Sequence, residues 1–227
     1  MINKIVQSMA DAMADIKDGS TVLLSGFGSV GQPNVLIDGL IEQGAKDLTV
    51  AANNAGAGHI GLARLMELGR VRRIICSFPR SSDPVVFETL YRAGKIELEI
   101  VPQGTLAERI RAAGAGVPAF FTATGVGTKM AVGKEHREIN GRTYMLEDAL
   151  YGDVGLVEAW EADRWGNLTY KLAGRNFNPI VAMASKLTIV QTQHIKELGD
   201  IHPDHVITPG IFVDRVLHVP YGDPGGF

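Results

Sequence analysis

The sequence predicts an α/β protein built on an open, mostly parallel sheet flanked by helices. Strand-like runs alternate with helical patterns along the chain, which is typical of parallel βαβ construction. Glycine is abundant, at 27 of 227 residues, and most glycines follow apolar runs, where an open α/β sheet places its ligand-binding loops. Hydrophobic residues make up 45% of the chain, which is enough for a sizeable core.

The predicted helices and strands follow one another in a regular order. Apolar residues recur at helical spacing over residues 2–16, which predicts an amphipathic surface helix. Pro33 and Gly44 mark the start and the end of the next helix, because proline suits a first helical turn and glycine a helix C-terminus. Further helices are predicted over 83–91 and 106–113. The predicted strands are 21–24, 48–52, 73–77, 97–101, 119–122, 154–159 and 186–190.

A β-hairpin insertion is predicted over residues 157–171. Its turn, 163–167, reads Asp-Arg-Trp-Gly-Asn, and glycine with asparagine supplies the positive φ that a tight turn requires. The chain shows no internal repeat, no low-complexity stretch and no linker that would divide it. We therefore expect a single domain over 1–220, followed by a disordered tail over 221–227.

Composition argues against several classes of protein. A net charge of −3 is unlike that of a nucleic-acid-binding chain, and no apolar run approaches the roughly 20 residues that cross a bilayer. These features predict a cytoplasmic location. Cys76, the one cysteine, closes an apolar run and is interpreted as a core residue rather than a nucleophile. His202 and His205 have no third ligand nearby in the sequence, so no metal site is predicted.

The most informative motif is the glycine loop within residues 21–33, TVLLSGFGSVGQP. It matches the G-x-G-x-x-G spacing with which dinucleotide-binding enzymes hold a pyrophosphate. Those enzymes normally carry an acidic residue where the second strand ends. Here Asp47 stands at the entrance of that strand, whereas Asn53 and Asn54 stand at its exit. The loop therefore predicts an anionic ligand other than NAD, with a nicotinamide-dependent oxidoreductase as the alternative.

Two further loops carry candidate site residues. Gln103 follows a predicted strand, and its amide either donates to a developing oxyanion or satisfies backbone groups in the turn. Gly125, Gly127 and Thr128 follow the next predicted strand. Because the carboxyl ends of parallel strands share one edge, we expect the three loops to converge on a single site.

Several stretches resemble the A (alpha) subunit of the family I CoA-transferases. They run from about residue 18 to residue 216 and therefore cover nearly the whole chain. The stretches are LLSGFGSVGQP, NNAGAG, CSFPRSSD, GKIELEIVPQGTLAERIRAAGAGVPAFFTATGVGT, DRWGNLTYKLAGRNFNP and ITPGIFVDRV. The PQGTLAERIR block is specific to that family. One departure is Ser25, which takes the place of the family's first loop glycine, so the backbone conformation there is an open question.

The resemblance implies ping-pong acyl transfer. In that family a glutamate attacks an acyl-CoA, and the resulting mixed anhydride gives a glutamyl-CoA thioester that an acceptor carboxylate then enters. The glutamate lies in a Ser-Glu-Asn-Gly motif of the other subunit, and none of the 12 glutamates here has that context. The resemblance therefore implies that the partner is a CoA-transferase B (beta) subunit, in an α2β2 assembly. Coenzyme A is expected as a substrate, carried by succinyl-CoA, with no permanently bound cofactor.

The acceptor implied by the resemblance is a 3-oxoacid. The stretches CSFPR and ITPGIFV are most similar to family members that use 3-oxoadipate in aromatic catabolism. Acetoacetate or another 3-oxoacid is the alternative acceptor. A non-catalytic scaffold is a further alternative for the chain as a whole.

The resemblance also implies roles for individual residues. Gln103, Asn53 and Asn54 would face the anhydride and the thioester, with Gln103 stabilising the intermediates, while Phe27 and Gly28 would close one side of the pocket. The complete predicted substrate-binding set is Phe27, Gly28, Gly31, Asn53, Asn54, Phe78, Arg80, Gly125, Gly127 and Thr128.

Arg80 is the candidate for acceptor selection, because 3-oxoadipate carries a second carboxylate that acetoacetate lacks. A guanidinium can hold a carboxylate through two parallel charge-assisted hydrogen bonds. A hydroxyl from Ser81 or Ser82 would add another hydrogen bond. The alternative for Arg80 is a solvated loop arginine without a ligand.

Overall fold

A computed structural model describes residues 2–220 of the chain. Its helices are α1 Met9–Met13, α2 Asn34–Gln43, α3 Gly61–Glu67, α4 Val85–Arg92, α5 Gln103–Gly114 and α6 Asn178–Ala184. Its strands are β1 Ile5–Val6, β2 Thr21–Leu24, β3 Leu48–Asn54, β4 Val71–Phe78, β5 Glu97–Ile100, β6 Ala119–Thr122, β7 His136–Ile139, β8 Arg142–Asp148, β9 Gly152–Asp163, β10 Leu168–Thr169, β11 Ser185–Lys196 and β12 Arg215–His218. The predicted tail over 221–227 lies outside the described residues.

Within residues 2–220 the main sheet has nine strands and is mostly parallel. Its order is β1-β12-β11-β9-β2-β3-β4-β5, and every pair along that path is parallel. Of the strands described in this sheet, β10 alone runs antiparallel, against β9. The predicted fold class, an open and mostly parallel sheet flanked by helices, is confirmed. The expectation of a single domain over 1–220 stays a prediction.

Hydrophobic residues fill both faces of the sheet. On one face, strand residues such as Val50 and Ile74 pack with Leu36 of α2 and other residues of helices α1 to α4. On the other face, Ile75 packs with residues of α5 and α6 such as Leu106. Successive strand residues point to opposite faces, so β4 contributes neighbouring residues to both clusters. Burying such a side chain stabilises the fold by about 1.5–3 kcal/mol.

The N-terminal segment differs from the single helix predicted over residues 2–16. Ile5 and Val6 form the edge strand β1, which pairs in parallel with Val216 and Leu217 of β12. The helix is reduced to α1, where the Ser8 hydroxyl accepts a hydrogen bond from the Asp11 N–H at 3.1 Å. The prediction of one continuous helix is wrong, because backbone pairing with a distant strand outweighs the local apolar periodicity.

A second, three-stranded sheet lies outside the parallel series. Its order is β6-β8-β7 and both of its pairs are antiparallel. The sequence pattern locates β6 correctly but places it in the main sheet, which is wrong because β6 pairs with β8. The predicted hairpin insertion is confirmed: β10 folds back on β9, and Gly166 in the turn adopts a φ of +82°. No helix within residues 2–220 is long and apolar enough to span a membrane.

Candidate active site

The glycine loop after β2 folds back on itself as a tight turn. The N–H of Phe27 donates to the carbonyl of Val30 at 3.0 Å, and the Val30 N–H donates back at 3.2 Å. Gly26 adopts a φ of +115°, and a Cβ there would lie 2.9 Å from the Cβ of Gln32. A side chain at Gly26 is therefore excluded by both backbone conformation and space.

Ser25 needs no glycine in its place. Its φ lies outside the left-handed region, and the residue is buried. Its hydroxyl donates to the carbonyl of Leu156 on the neighbouring strand β9 at 2.9 Å, and its N–H reaches the same carbonyl at 3.2 Å. The serine anchors the base of the loop to the sheet, which answers the question raised by its departure from the family pattern.

Asn53 lies at the centre of a polar cluster where β3 ends. Its side-chain oxygen Oδ1 accepts hydrogen bonds from Gln103 Nε2 at 2.7 Å and from Ser77 Oγ at 2.9 Å. Ser77 Oγ also lies 3.0 Å from the backbone carbonyl of Asn53. The three side chains come from β3, β4 and the first residue of α5. Asn53 is only 6% exposed, whereas Gln103 is exposed.

Asn54 shapes the next turn of the chain. Its Oδ1 accepts a hydrogen bond from the N–H of Gly56 at 2.8 Å, which is the geometry of an Asx turn. The carbonyl of Gly56 in turn accepts a hydrogen bond from the hydroxyl of Ser81, on the loop after β4. These bonds hold the loops after β3 and β4 side by side.

A cavity of about 550 Å³ opens at the carboxyl edge of the sheet, and we refer to it as the edge cavity. The described residues that line it include no acid and no cation, so its polar groups are amides and hydroxyls. Its rim is aromatic, because Phe27 is 53% exposed and Phe78 is 60% exposed. The lining residues are Phe27, Gly28, Asn53, Asn54, Ser77, Phe78, Ser81, Ser82 and Gln103.

The profile of the Coenzyme A transferase family matches residues 6–218. This chain belongs to the coenzyme A transferase family. It is 60% identical over 219 residues to the A (alpha) subunit of the 3-oxoadipate CoA-transferase of Pseudomonas putida, covering 96% of this chain and 95% of that protein. It is 48% identical over 216 residues to the A (alpha) subunit of the probable succinyl-CoA:3-ketoacid coenzyme A transferase of Bacillus subtilis, covering 95% and 90% of the two chains.

A solved structure shows the same fold as this CoA-transferase chain. The acyl-CoA transferase YdiF of Escherichia coli O157:H7 superposes with a TM-score of 0.84 at 22% identity. The match covers 96% of this chain and 47% of the YdiF chain, so the present chain spans about half the length of that protein. Because the chain belongs to the coenzyme A transferase family, the alternative of a nicotinamide-dependent oxidoreductase is set aside.

Six of the predicted site residues of this CoA-transferase chain meet at the edge cavity. They are Phe27, Gly28, Asn53, Asn54, Phe78 and Gln103. Five more lie elsewhere, and a substrate contact by any of them stays a prediction. These are Gly31, Arg80, Gly125, Gly127 and Thr128.

Gly31, the last glycine of the loop, is buried and does not line the edge cavity. A Cβ at Gly31 would lie 2.6 Å from the carbonyl oxygen of Gly174 and 2.7 Å from Nδ2 of Asn176. The side chain of Asn178 donates to the Gly31 carbonyl at 3.0 Å. The glycine therefore allows the loop to pack closely against the segment that leads into α6.

The third glycine loop, which contains Gly125, Gly127 and Thr128, does not line the edge cavity. The expectation that three loops converge on one edge of the sheet is therefore wrong for this loop. It follows β6, which belongs to the antiparallel sheet. Within this loop the hydroxyl of Thr128 donates to the carbonyl of Gly125 at 2.7 Å, and Gly127 adopts a φ of +80°. The loop is thus stabilised by its own hydrogen bonds.

Arg80 follows β4, close to the edge cavity in sequence but outside its lining. Its Nε lies 2.7 Å from Oε1 of Glu88 on α4, and its side chain is 68% exposed. Ser81 and Ser82, the hydroxyls proposed beside it, do line the cavity. A bound carboxylate would have to compete with Glu88 for the guanidinium.

Sequence reasoning missed Ser77 as a site residue. Its side chain lies beside Asn53 because β3 and β4 are parallel and in register, with Ala52 opposite Cys76 and Asn54 opposite Phe78. The available signal was its place at the end of a predicted strand. Cys76 points to the other face of β4 and is buried, which raises the pKa of its thiol to about 12. The interpretation of Cys76 as a core residue is thereby supported.

Proposed function

We propose that this chain is the A (alpha) subunit of a CoA-transferase that moves coenzyme A from succinyl-CoA to a 3-oxoacid, with 3-oxoadipate as the preferred acceptor. The observation that carries the proposal is the chemistry of the edge cavity. Its described lining residues present uncharged amides and hydroxyls, from Asn53, Asn54, Gln103 and neighbouring serines, and no carboxylate. These groups can stabilise charge that develops on a reacting carbonyl, but the lining holds neither a carboxylate nucleophile nor a base that would activate a serine hydroxyl.

The nucleophile is assigned to a glutamate of a separate B (beta) subunit. Its carboxylate attacks the thioester carbonyl of succinyl-CoA, and the CoA thiolate leaves to give a mixed anhydride. The thiolate then attacks the glutamyl carbonyl, releasing succinate and forming a glutamyl-CoA thioester. The 3-oxoacid carboxylate reverses these two steps and leaves as its CoA ester. Each addition places negative charge on a carbonyl oxygen, which the amides of this chain would stabilise.

The need for a partner has three supports. The related proteins of Pseudomonas putida and Bacillus subtilis are both named as one subunit of a larger enzyme. The chain spans about half of the YdiF polypeptide. The aromatic rim formed by Phe27 and Phe78 is exposed, and exposed apolar patches beside a polar cavity are typical of protein interfaces. Two copies of each subunit, α2β2, are proposed for the assembly.

The acceptor is proposed from the relatives. The 60% identical relative is named for 3-oxoadipate, whereas the 48% identical relative is named for 3-ketoacids in general. Arg80 is proposed to bind the second carboxylate of 3-oxoadipate. Its ion pair with Glu88 would then be replaced by one with the substrate. Acetoacetate remains the second candidate acceptor, because it presents the same reacting carboxylate.

The test is to express the chain alone and together with a CoA-transferase beta subunit. Each preparation is given succinyl-CoA with 3-oxoadipate or acetoacetate, and the new CoA ester is quantified by mass spectrometry. We expect exchange only from the complex, with higher kcat/KM for 3-oxoadipate. Incubation with succinyl-CoA alone should leave a CoA adduct on the beta subunit. Exchange by the isolated chain, or a CoA adduct on it, would contradict the proposal.

A further inference from the structure

Ser77 lies beside Asn53 at the carboxyl end of two paired strands. The register of β3 and β4 sets Asn53 next to Ser77, with both side chains directed away from the face that buries Cys76. The Ser77 hydroxyl lies 2.9 Å from Asn53 Oδ1 and 3.0 Å from the Asn53 carbonyl. The serine is thus in contact with both oxygens of the asparagine.

The contacts of Asn53 Oδ1 fix the position of its amide. Oδ1 accepts a hydrogen bond from Gln103 and lies within hydrogen-bond distance of the Ser77 hydroxyl, whose single hydrogen is shared between Oδ1 and the Asn53 carbonyl. Among the described residues, none accepts a hydrogen bond from Asn53 Nδ2. Nδ2 is nevertheless absent from the buried side-chain atoms that lack a partner, so this atom is not fully buried. Because Asn53 lines the edge cavity and is otherwise buried, the Nδ2 group must reach the cavity surface.

We propose that Ser77 is a positioning residue, which holds the Asn53 amide in place while its Nδ2 faces the reacting carbonyl. This inference rests on the proposed CoA-transferase function. The hydrogen bond from Gln103 Nε2 to Asn53 Oδ1 sets which way the amide is turned. Gln103 is itself exposed. Ser77, fixed within the β4 ladder, lies against both oxygens of Asn53 and so restrains where the amide lies.

The orientation matters in the addition steps. When a carboxylate attacks the thioester carbonyl, a C–O bond forms and the carbonyl π pair moves onto oxygen. That pair re-forms the carbonyl as the CoA thiolate leaves. An N–H donor facing this oxygen stabilises the charged intermediate, whereas an amide oxygen in the same place would repel it. Ser77 therefore acts on the rate of the chemical step rather than on binding of the CoA ester.

The experiment compares Ser77→Ala with Ser77→Thr, which keeps the hydroxyl, in the complex with the beta subunit. We expect Ser77→Ala to lower kcat about tenfold, the order of one hydrogen bond. The KM for succinyl-CoA should change less than about twofold, because the substitution should not alter how tightly the enzyme binds the substrate before reaction. Ser77→Thr should retain most of the activity. Ser185→Ala is the matched control, since Ser185 also donates one hydrogen bond, to Val181 at 2.8 Å, but lies outside the edge cavity.

A double-mutant cycle with Asn53→Ala separates positioning from a purely structural effect. If Ser77 acts through Asn53, adding Ser77→Ala to Asn53→Ala lowers kcat no further. Additive losses, or a Ser77→Ala variant that behaves like Ser185→Ala, would overturn the inference while leaving the proposed function intact. An inactive wild-type complex would instead contradict the proposed function.

Discussion

At the residue scale, the Gln103 amide donates one hydrogen bond, and among residues 2–220 no group accepts its second hydrogen. Its Nε2 donates to Asn53 Oδ1 at 2.7 Å, and an amide nitrogen carries two hydrogens. The second is available to an oxyanion in the edge cavity. We expect Gln103→Ala to lower kcat of the assembled enzyme by about a hundredfold, the order seen when one oxyanion donor is removed.

The measurement for Gln103→Ala is steady-state turnover of the complex with the beta subunit. Gln7→Ala is the control, because Gln7 is an exposed glutamine in the N-terminal segment, far along the chain from the cavity residues. The complex must form normally, as judged by size-exclusion chromatography. Turnover near the wild-type value in a normally assembled Gln103→Ala complex would exclude the role as a donor.

The proposed selection of the acceptor also depends on one residue, Arg80. Arg80 and Arg92 both pair with Glu88, at 2.7 Å and 2.9 Å, but only Arg80 is adjacent in sequence to the cavity-lining serines. We expect Arg80→Ala to lower kcat/KM for 3-oxoadipate about 10- to 100-fold, because a charge-assisted bond to the second carboxylate is lost. Acetoacetate should be converted at an unchanged rate.

Arg92→Ala is the matched control for this substitution, since it frees Glu88 in the same way without touching the loop after β4. It should leave kcat/KM unchanged for both acceptors. Equal losses on 3-oxoadipate and acetoacetate in Arg80→Ala would show that Arg80 makes no selective contact with substrate.

At the scale of elements, a network of charged side chains connects α5 to both sheets. Arg109 on α5 lies 2.6 Å from Glu99 on β5, which also pairs with Arg73 on β4. On its other side, Arg109 lies 3.9 Å from Glu147 on β8, and Glu147 binds Lys134. Because α5 begins with Gln103, this network also fixes the helix that presents the predicted oxyanion donor.

The network predicts an acid-dependent loss of stability. Burial raises the pKa of Glu99, but hydrogen bonds and attraction from Arg109 and Arg73 outweigh it and hold that pKa below its ordinary value. A lowered pKa contributes stability above the pKa of the unfolded chain, about 4.3 for glutamate. That contribution is lost as the pH falls through the lower pKa of the folded state.

We therefore expect Glu99→Gln to lower the free energy of unfolding at pH 7 by about 1.5–3 kcal/mol, the order of a hydrogen bond to a charged group. The difference in free energy of unfolding between Glu99→Gln and the wild type should become smaller as the pH falls below about 4. Thermal unfolding between pH 7 and pH 3 measures both effects. Glu138→Gln, at an exposed residue of β7, is the control and should show neither. If the stability difference between Glu99→Gln and the wild type stayed constant from pH 7 to pH 3, the lowered pKa of Glu99 would not be the source of this stability.

The elements also show why some of the fold was predictable from sequence. Strands β2 and β3 are buried, so continuous apolar runs revealed them. Strand β7 is exposed throughout and carries no such signal. Strand β1 has two residues and depends on pairing with β12, more than 200 positions away in sequence. Local periodicity contains no information on such pairing, which is why the N-terminal segment and the antiparallel sheet were missed.

The same distinction applies to the site. Asn53, Asn54 and Gln103 follow apolar runs, so their place at the carboxyl edge could be read from the sequence. Ser77 could not be assigned because its contact with Asn53 depends on the register of two strands. The third glycine loop was misplaced for a related reason, since its strand β6 has the composition of a main-sheet strand but a partner in another sheet.

At the scale of the whole molecule, the distribution of chemistry supports the proposal that a second chain completes the site. The described residues that line the edge cavity offer donors but no carboxylate. Phe27 and Phe78 stand exposed at its mouth. In contrast, the charged pairs of Arg72 with Asp47 and Glu97 lie at the opposite, amino edge of the sheet. A partner that supplies a nucleophile has to approach the carboxyl edge and would cover the two aromatic rings.

This arrangement predicts that the aromatic rim contributes to assembly as well as to catalysis. Burying a phenylalanine side chain in an interface is worth about 1.5–3 kcal/mol, so Phe78→Ser should weaken binding of the beta subunit by about 10- to 100-fold. The isolated chain should keep its thermal stability, because Phe78 is 60% exposed before assembly. Isothermal titration calorimetry with the purified beta subunit measures the change. Leu68→Ser is the control, since Leu68 is 39% exposed and lies in the groove at the amino edge of the sheet with Arg72. Unchanged affinity in Phe78→Ser, or equal weakening in Leu68→Ser, would show that the partner does not approach over the carboxyl edge.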